Sequence, residues 1–212
     1  MTTLTDQIAA YDVQKQQKVP AELLQQMEEA TRALVATGIE QQALNRGDSL
    51  PDITLPNARG EQVRLYDLLQ QGPLVINFYR GGWCPYCNLE LAALQSALPE
   101  ILARGAQLVA ISPQTPDQSL STAEKNALAF EVLCDVGNRA AEQFGLVFEL
   151  PDSIRAIYDK FGIDVVAHNG DSSFKLPVPA SYVVNRDGVI SYAFVNADYT
   201  RRVEPSELVN AL

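Results

Sequence analysis

The stretch Leu74 to Tyr79 reads as a buried strand, and within a few residues it leads into Cys84 to Ala103, where Leu91, Leu94, Leu98 and Ile101 share one helical face. A buried strand feeding directly into an apolar-faced helix requires the two to pack as layers. The pattern then repeats. Gln107 to Ser112 is a strand, Pro116 to Leu128 a helix, Glu131 to Leu133 a short strand, and Gly137 to Phe144 a helix. Such alternation implies parallel strands joined by right-handed crossovers. Ser153 to Phe161 adds a helix, and Ala180 to Asn185 with Val189 to Val195 flank Arg186-Asp187-Gly188 as a β-hairpin, before a short last helix from Pro205 to Leu212. A parallel first half that ends in an antiparallel hairpin predicts an α/β fold with a central mixed sheet flanked by helices.

The first 45 residues have a different texture. They are rich in Gln and Glu, hold no strand-like stretch, and place Leu23, Met27, Ala30 and Leu34 after Pro20 at helical spacing, with Gly38 as a stop. Residues 1–45 are therefore expected to form a helical arm that packs on the domain or on a second subunit in a homodimer, a mobile tail being the alternative. From Pro51 onward, Ile53 to Leu55, the turn Asn57 to Gly60, and Gln62 to Leu65 read as a short hairpin, so the main domain is placed at residues 46–212. Composition narrows the function classes. With 26 acidic against 16 Lys and Arg residues and no run of cations, the chain lacks the clustered charge that releases counterions from a phosphate backbone, so no nucleic-acid partner is expected. Its apolar runs fall far short of the roughly 20 residues that cross a bilayer, and its start lacks a basic cluster followed by an apolar run. A cytoplasmic chain with no membrane partner is the expectation.

Chemistry is concentrated where the first strand meets its helix, in Phe78-Tyr79-Arg80-Gly81-Gly82-Trp83-Cys84-Pro85-Tyr86-Cys87. At a helix N-terminus, free backbone N–H groups and the positive end of the macrodipole favour an anion, so a cysteine there is more readily a thiolate. Pro85 suits the first turn, where its missing N–H costs nothing. Cysteines three apart on a helix share a face and can close a small disulfide. A structural zinc site is the rival, since Cys134 and His168 could complete four ligands, but such sites usually use two cysteine pairs and there is no second pair. Cys134 reads as an inert core thiol, and His168, the one histidine, as a solvated residue of the polar loop Ala167 to Ser173.

The segment Trp83 to Cys87 resembles the thioredoxin-superfamily active site, with the Cys-Pro-Tyr-Cys tetrad of glutaredoxins. More widely, Gly47 to Ile53, Val75 to Arg80, Val109 to Pro113, Leu133 to Asp135 and Ser181 to Gly188 resemble the alkyl hydroperoxide reductase and thiol-specific antioxidant (AhpC/TSA) family of peroxiredoxin-like proteins. That resemblance implies a thioredoxin-like fold and a thiol-dependent peroxidase that needs no cofactor or metal. It implies hydrogen peroxide or an alkyl hydroperoxide as substrate, a sulfenic acid resolved as a Cys84–Cys87 disulfide, and recycling by a thioredoxin-like donor. The family's Pro-x-x-x-Thr-x-x-Cys pattern puts the attacking cysteine at Cys87, with Cys84 in the threonine position and Arg80 in the proline position. The thioredoxin pattern favours the reverse order, in which the N-terminal Cys84 is the exposed nucleophile, so both assignments stand. The family's peroxide-orienting arginine would fall at Pro179, and Val178-Pro179 instead resembles the cis-proline that faces a thioredoxin disulfide. Arg80 is then the candidate replacement cation, and Tyr79, Arg80, Trp83 and Pro179 are the expected pocket residues. A general thiol–disulfide oxidoreductase using the same cysteines on proteins is the alternative, and a zinc-binding or interaction module a lesser one.

Overall fold

The computed structural model describes residues 2–212. In chain order its elements are α1 (Leu4–Lys18), α2 (Ala21–Ala36), α3 (Ile39–Gln42), β1 (Thr54–Pro56), β2 (Gln62–Arg64), α4 (Leu65–Leu69), β3 (Leu74–Phe78), α5 (Pro85–Ala103), β4 (Gln107–Ser112) and α6 (Pro116–Lys125). They continue with β5 (Glu131–Cys134), α7 (Arg139–Gln143), β6 (Val147–Glu149), α8 (Asp152–Lys160), α9 (Val165–Asn169), β7 (Lys175–Pro177), β8 (Ala180–Val184), β9 (Ile190–Val195) and α10 (Pro205–Asn210).

Five strands form the central sheet in the order β5-β4-β3-β8-β9. Strands β3, β4 and β5 pair in parallel, whereas β8 pairs antiparallel with both β3 and β9, so the sheet is mixed, as the sequence predicts. Central β3 is buried along its whole length because side chains leave both faces into packed layers. Leu74, Ile76 and Phe78 enter a core with Leu65, Leu69, Phe144 and Tyr182, and Val75 packs on the other face against Leu94, Leu98 and Ile101 of α5. The one polar residue of β3, Asn77, meets its register partner Ser181 through a 3.0 Å side-chain hydrogen bond.

The two long helices of the N-terminal arm fold back on the domain, α1 against α5 and α2 against α8, and the short α3 follows them. Periodicity marks α2 but not α1, whose only buried residue is Leu4. What starts α1 is a reciprocal cap: the Thr3 hydroxyl accepts from Asp6 N–H, and the Asp6 carboxylate accepts from Thr3 N–H. Three further features differ from the sequence expectations. His168 lies in helix α9, not in a loop, because the Asp164 carboxylate caps that turn by accepting from Ala167 N–H. Strands β6 and β7 pair although α8 and α9 intervene, and three-residue strands carry no readable period. The Val178–Pro179 bond is trans, since no cis peptide occurs among the described residues, so the expected cis-proline loop is absent. Among the described residues no helix is long and apolar enough to cross a membrane.

Candidate active site

Strand β3 ends beside β4, where Tyr79 N–H donates to Ile111 O, and the chain then turns sharply through Arg80-Gly81-Gly82-Trp83 into α5. Gly81 holds φ +149°, and a Cβ there would stand 2.4 Å from Trp83 Nε1, so only glycine lets the indole fold back over the loop. Gln114 accepts from Gly82 N–H at 2.8 Å, and Asn88 Nδ2 donates to Gly82 O at 2.8 Å. The loop is thus pinned on both sides before the cysteines begin.

Cys84 is the N-cap of α5 and Cys87 lies in its first turn; both are free thiols. Cys84 is 2% exposed and Cys87 is fully enclosed. Their surroundings differ in kind. Cys84 lines a cavity of about 260 Å³ whose charged lining residues are Lys15 and Arg80, with Trp83, Tyr86, Tyr158 and Tyr199 among its aromatic walls. Cys87 faces inward, with Arg202 Nη2 3.5 Å from its sulfur. Burial opposes ionisation of Cys84, but the adjacent Cys87 thiol and the charges of Arg80 and Arg202 outweigh it and hold Cys84 below its ordinary value. For Cys87, burial and the neighbouring Cys84 push the thiol well above its ordinary value.

Arg80 is buried in an aromatic cage, its guanidinium carbon 4.6 Å from the Tyr199 ring centroid, 5.1 Å from Trp83 and 5.7 Å from Tyr158. Its Nη2 donates to the Tyr158 hydroxyl, its Nε has no partner, and no carboxylate pairs with it among the described residues. Arg202 is balanced differently: its Nε donates to Glu90 at 2.7 Å, and both side chains are almost completely buried. Burial, only partly opposed by Arg202, pushes the Glu90 carboxyl up to about 7.

Of the residues singled out from sequence, Arg80, Trp83 and Cys84 share the cavity. Tyr79 lies behind the cysteines in the core, packed with Tyr86 and Leu91, and Pro179 lines an adjoining apolar cavity of about 220 Å³ that Arg80, Tyr158 and Tyr199 also border. Cys134 ends β5 as a buried thiol, raised by that burial. His168 Nδ1 pairs with Gln118 at 2.8 Å, and no group of three or more potential metal ligands exists among the described residues, which removes the ligand set of the zinc alternative. Sequence reasoning missed Lys15, Glu90, Tyr158, Tyr199 and Arg202. Glu90 alone had a local signal, as an acid three residues after Cys87 on the apolar face of α5.

The AhpC/TSA family model matches residues 46–193. Peroxiredoxin Bcp of Escherichia coli (strain K12) is 35% identical over 103 residues, which covers 49% of this chain and 65% of that protein. A chloroplastic peroxiredoxin Q of Populus jackii is 27% identical over 130 residues, covering 59% of this chain and 61% of that one. The chain thus spans just under two thirds of these relatives. Among solved structures, the peroxidoxin BcpB of Mycobacterium tuberculosis superposes with a TM-score of 0.63 at 21% identity, over 79% of this chain and 96% of its own. PrxQ of Xylella fastidiosa gives 0.61 at 16% identity, over 79% and 94%. These two likenesses show the fold, a thioredoxin-like α/β sandwich. Lys15, Tyr199 and Arg202 all lie outside the family-matched span.

Proposed function

The chain belongs to the AhpC/TSA family, and from that we propose that it is a thiol-dependent peroxidase whose redox pair is the Cys-Pro-Tyr-Cys turn, with Cys84 attacking and Cys87 resolving. The observation that carries this reading is the position of Cys84 on a cavity where Arg80, a buried cation without a carboxylate partner among the described residues, faces the same space. A thiolate there has a counter-charge, and a peroxide entering beside it has hydrogen-bond donors at the departing oxygen.

In the first step the Cys84 thiolate displaces one peroxide oxygen: an S–O bond forms as the O–O bond breaks. The departing oxygen takes up a proton and leaves as water or an alcohol, and Cys84 becomes a sulfenic acid. Cys87 then attacks the Cys84 sulfur. An S–S bond forms, the S–O bond breaks, and the thiol proton leaves with the hydroxyl as water. A dithiol donor of thioredoxin type returns two electrons and two protons. The order differs from the one that family alignment favours, because Cys87 is sealed beneath the turn whereas Cys84 lines the open space. The family match favours the peroxidase over general protein thiol–disulfide exchange, which would use the same two cysteines.

Stopped-flow oxidation of the reduced protein by hydrogen peroxide and by an alkyl hydroperoxide, followed through the sole tryptophan Trp83, tests this reading. A rate far above that of a free thiol is expected for at least one of them. Free-thiol rates for both would overturn it.

A further inference from the structure

The family-matched span begins at residue 46, yet the Cys84 cavity is partly walled by the arm that precedes it. Helix α1 is poorly suited to hold itself there by apolar burial. Leu4 is its one buried residue, and Ile8 and Tyr11 are only half-buried. Glu204 holds the first turn of α1, and the polar contacts of the helix's C-terminal half gather at Tyr86, the residue of the redox turn between Pro85 and Cys87. The Tyr86 hydroxyl donates to the Asp12 carboxylate, and Tyr11 meets the Tyr86 ring edge-on at a 5.1 Å centroid distance. Lys15 Nζ is 3.3 Å from the Tyr86 hydroxyl and 3.3 Å from that of Tyr199, and it lies 5.4 and 5.6 Å from the two ring centroids.

We propose that Lys15 is a positioning residue of the redox site: it fixes the Cys84-to-Cys87 turn through Tyr86 and Tyr199, and it supplies the cavity with a cation that supports a Cys84 thiolate.

The charge balance of the cavity supports this. A half-buried ammonium costs solvation energy unless an anion compensates it. Lys15 has no carboxylate within ion-pair distance among the described residues, and the nearby Asp12 is engaged by Tyr86. Burial, with Arg80, lowers the Lys15 ammonium, while Asp12, an ionised Cys84 and Asp198 act to restore it. Such coupling is reciprocal: a thiolate that favours the ammonium is favoured by it to the same extent. The other charged or titratable groups that face Cys84 are Arg80 from the preceding loop, Cys87 on α5, Arg202 with its partner Glu90, Tyr11 on α1, Tyr158 on α8, and Tyr199. Arg80 and Arg202 are thus the cations of the domain, and Lys15 is the one contributed by the arm. The inference rests on the reading of Cys84 as the reactive thiol, but it does not require that the oxidant be a peroxide.

The test is the pH midpoint of Cys84 alkylation by iodoacetamide in the reduced full chain, with the modified residue assigned by mass spectrometry. Loss of the charge in Lys15→Met should raise the midpoint by about half a unit or more, and Lys15→Arg should restore it. Thr5→Ala is the control. It removes an anchor of the same helix on Glu204, 2.6 Å from the Thr5 hydroxyl, without touching the cavity, and should leave the midpoint in place. An unchanged midpoint in Lys15→Met, or an equal rise in Thr5→Ala, overturns the proposal. If Lys15→Met fails to fold, Lys15→Gln carries the same comparison. A Lys15-dependent midpoint combined with free-thiol peroxide rates would sink the peroxidase reading and leave this one standing.

Discussion

Arg202 Nη2 stands 3.5 Å from the sulfur of Cys87 although 115 residues separate the two in the chain. The same guanidinium donates to Glu90, one turn further along α5, so a single buried cation ties the segment after β9 to both the Cys87 thiol and its helix. Arg80 borders the cavity that Cys84 lines, whereas Arg202 lies beneath it against Cys87. That asymmetry makes the roles of the cysteines testable.

Cys84→Ser is expected to abolish peroxide turnover. Cys87→Ser should consume one equivalent of peroxide and stop at a sulfenic acid on Cys84, which dimedone traps and mass spectrometry locates. Trapping the adduct on Cys87 in the Cys84→Ser protein would reverse the assignment.

Because Cys84 is held below its ordinary value, its thiolate persists at pH values where a free thiol, with a pKa of about 8.5, is mostly protonated. Its alkylation rate should reach a plateau at lower pH than that of a free thiol and should fall as the pH drops through the depressed value. In Arg80→Met the midpoint should move up by about one unit or more, the scale of one opposite charge a few ångströms away. Peroxide oxidation should slow further than alkylation, since Arg80 would also bind the departing oxygen. Equal slowing of the two reactions would confine Arg80 to holding the thiolate.

Much of this was legible in the sequence, for local reasons. Strand β3 announces itself as a short continuous apolar run and helix α5 by apolar residues at spacings of three to four, and the two cysteines sit at the junction between them. The reciprocal Thr3–Asp6 cap was equally readable and would have revealed α1. The rest of the site was hidden because it is assembled across the fold. Lys15 and Tyr199 meet over 184 positions, and nothing in the polar texture of either segment points to the other. Tyr158 reads as one apolar residue of α8 until Arg80 is seen to donate to its hydroxyl.

Removing Glu90 should be severe. Glu90→Leu leaves the Arg202 charge buried without its carboxylate, which typically costs about 3–5 kcal/mol, and urea unfolding measures it. The double variant Glu90→Leu with Arg202→Met should recover much of the loss, because the pair is replaced by apolar volume. A loss below about 1 kcal/mol for the single variant would mean that water reaches the guanidinium.

Gly81→Ala tests the loop. A methyl group 2.4 Å from the Trp83 indole nitrogen, on a residue with φ +149°, should cost roughly 1–3 kcal/mol and shift Trp83 fluorescence to the red as the ring swings into water. Unchanged emission would show that the indole is placed by Tyr158, its edge-on neighbour at 5.4 Å, rather than by the glycine.

The wide sequence spacing of the Arg202–Cys87 contact also bears on how the protein is made. On a ribosome, Cys84 and Cys87 emerge long before residues 199–204, so Arg202 cannot yet shield Cys87, nor Tyr199 the turn, nor Glu204 hold α1 by its first N–H groups. For that interval both thiols belong to a nascent chain and are open to premature pairing with Cys134 or with other thiols. Protection of the cysteines arrives only once residues 199–204 have been added, so a nascent chain that lacks them is the form most exposed to adventitious oxidation.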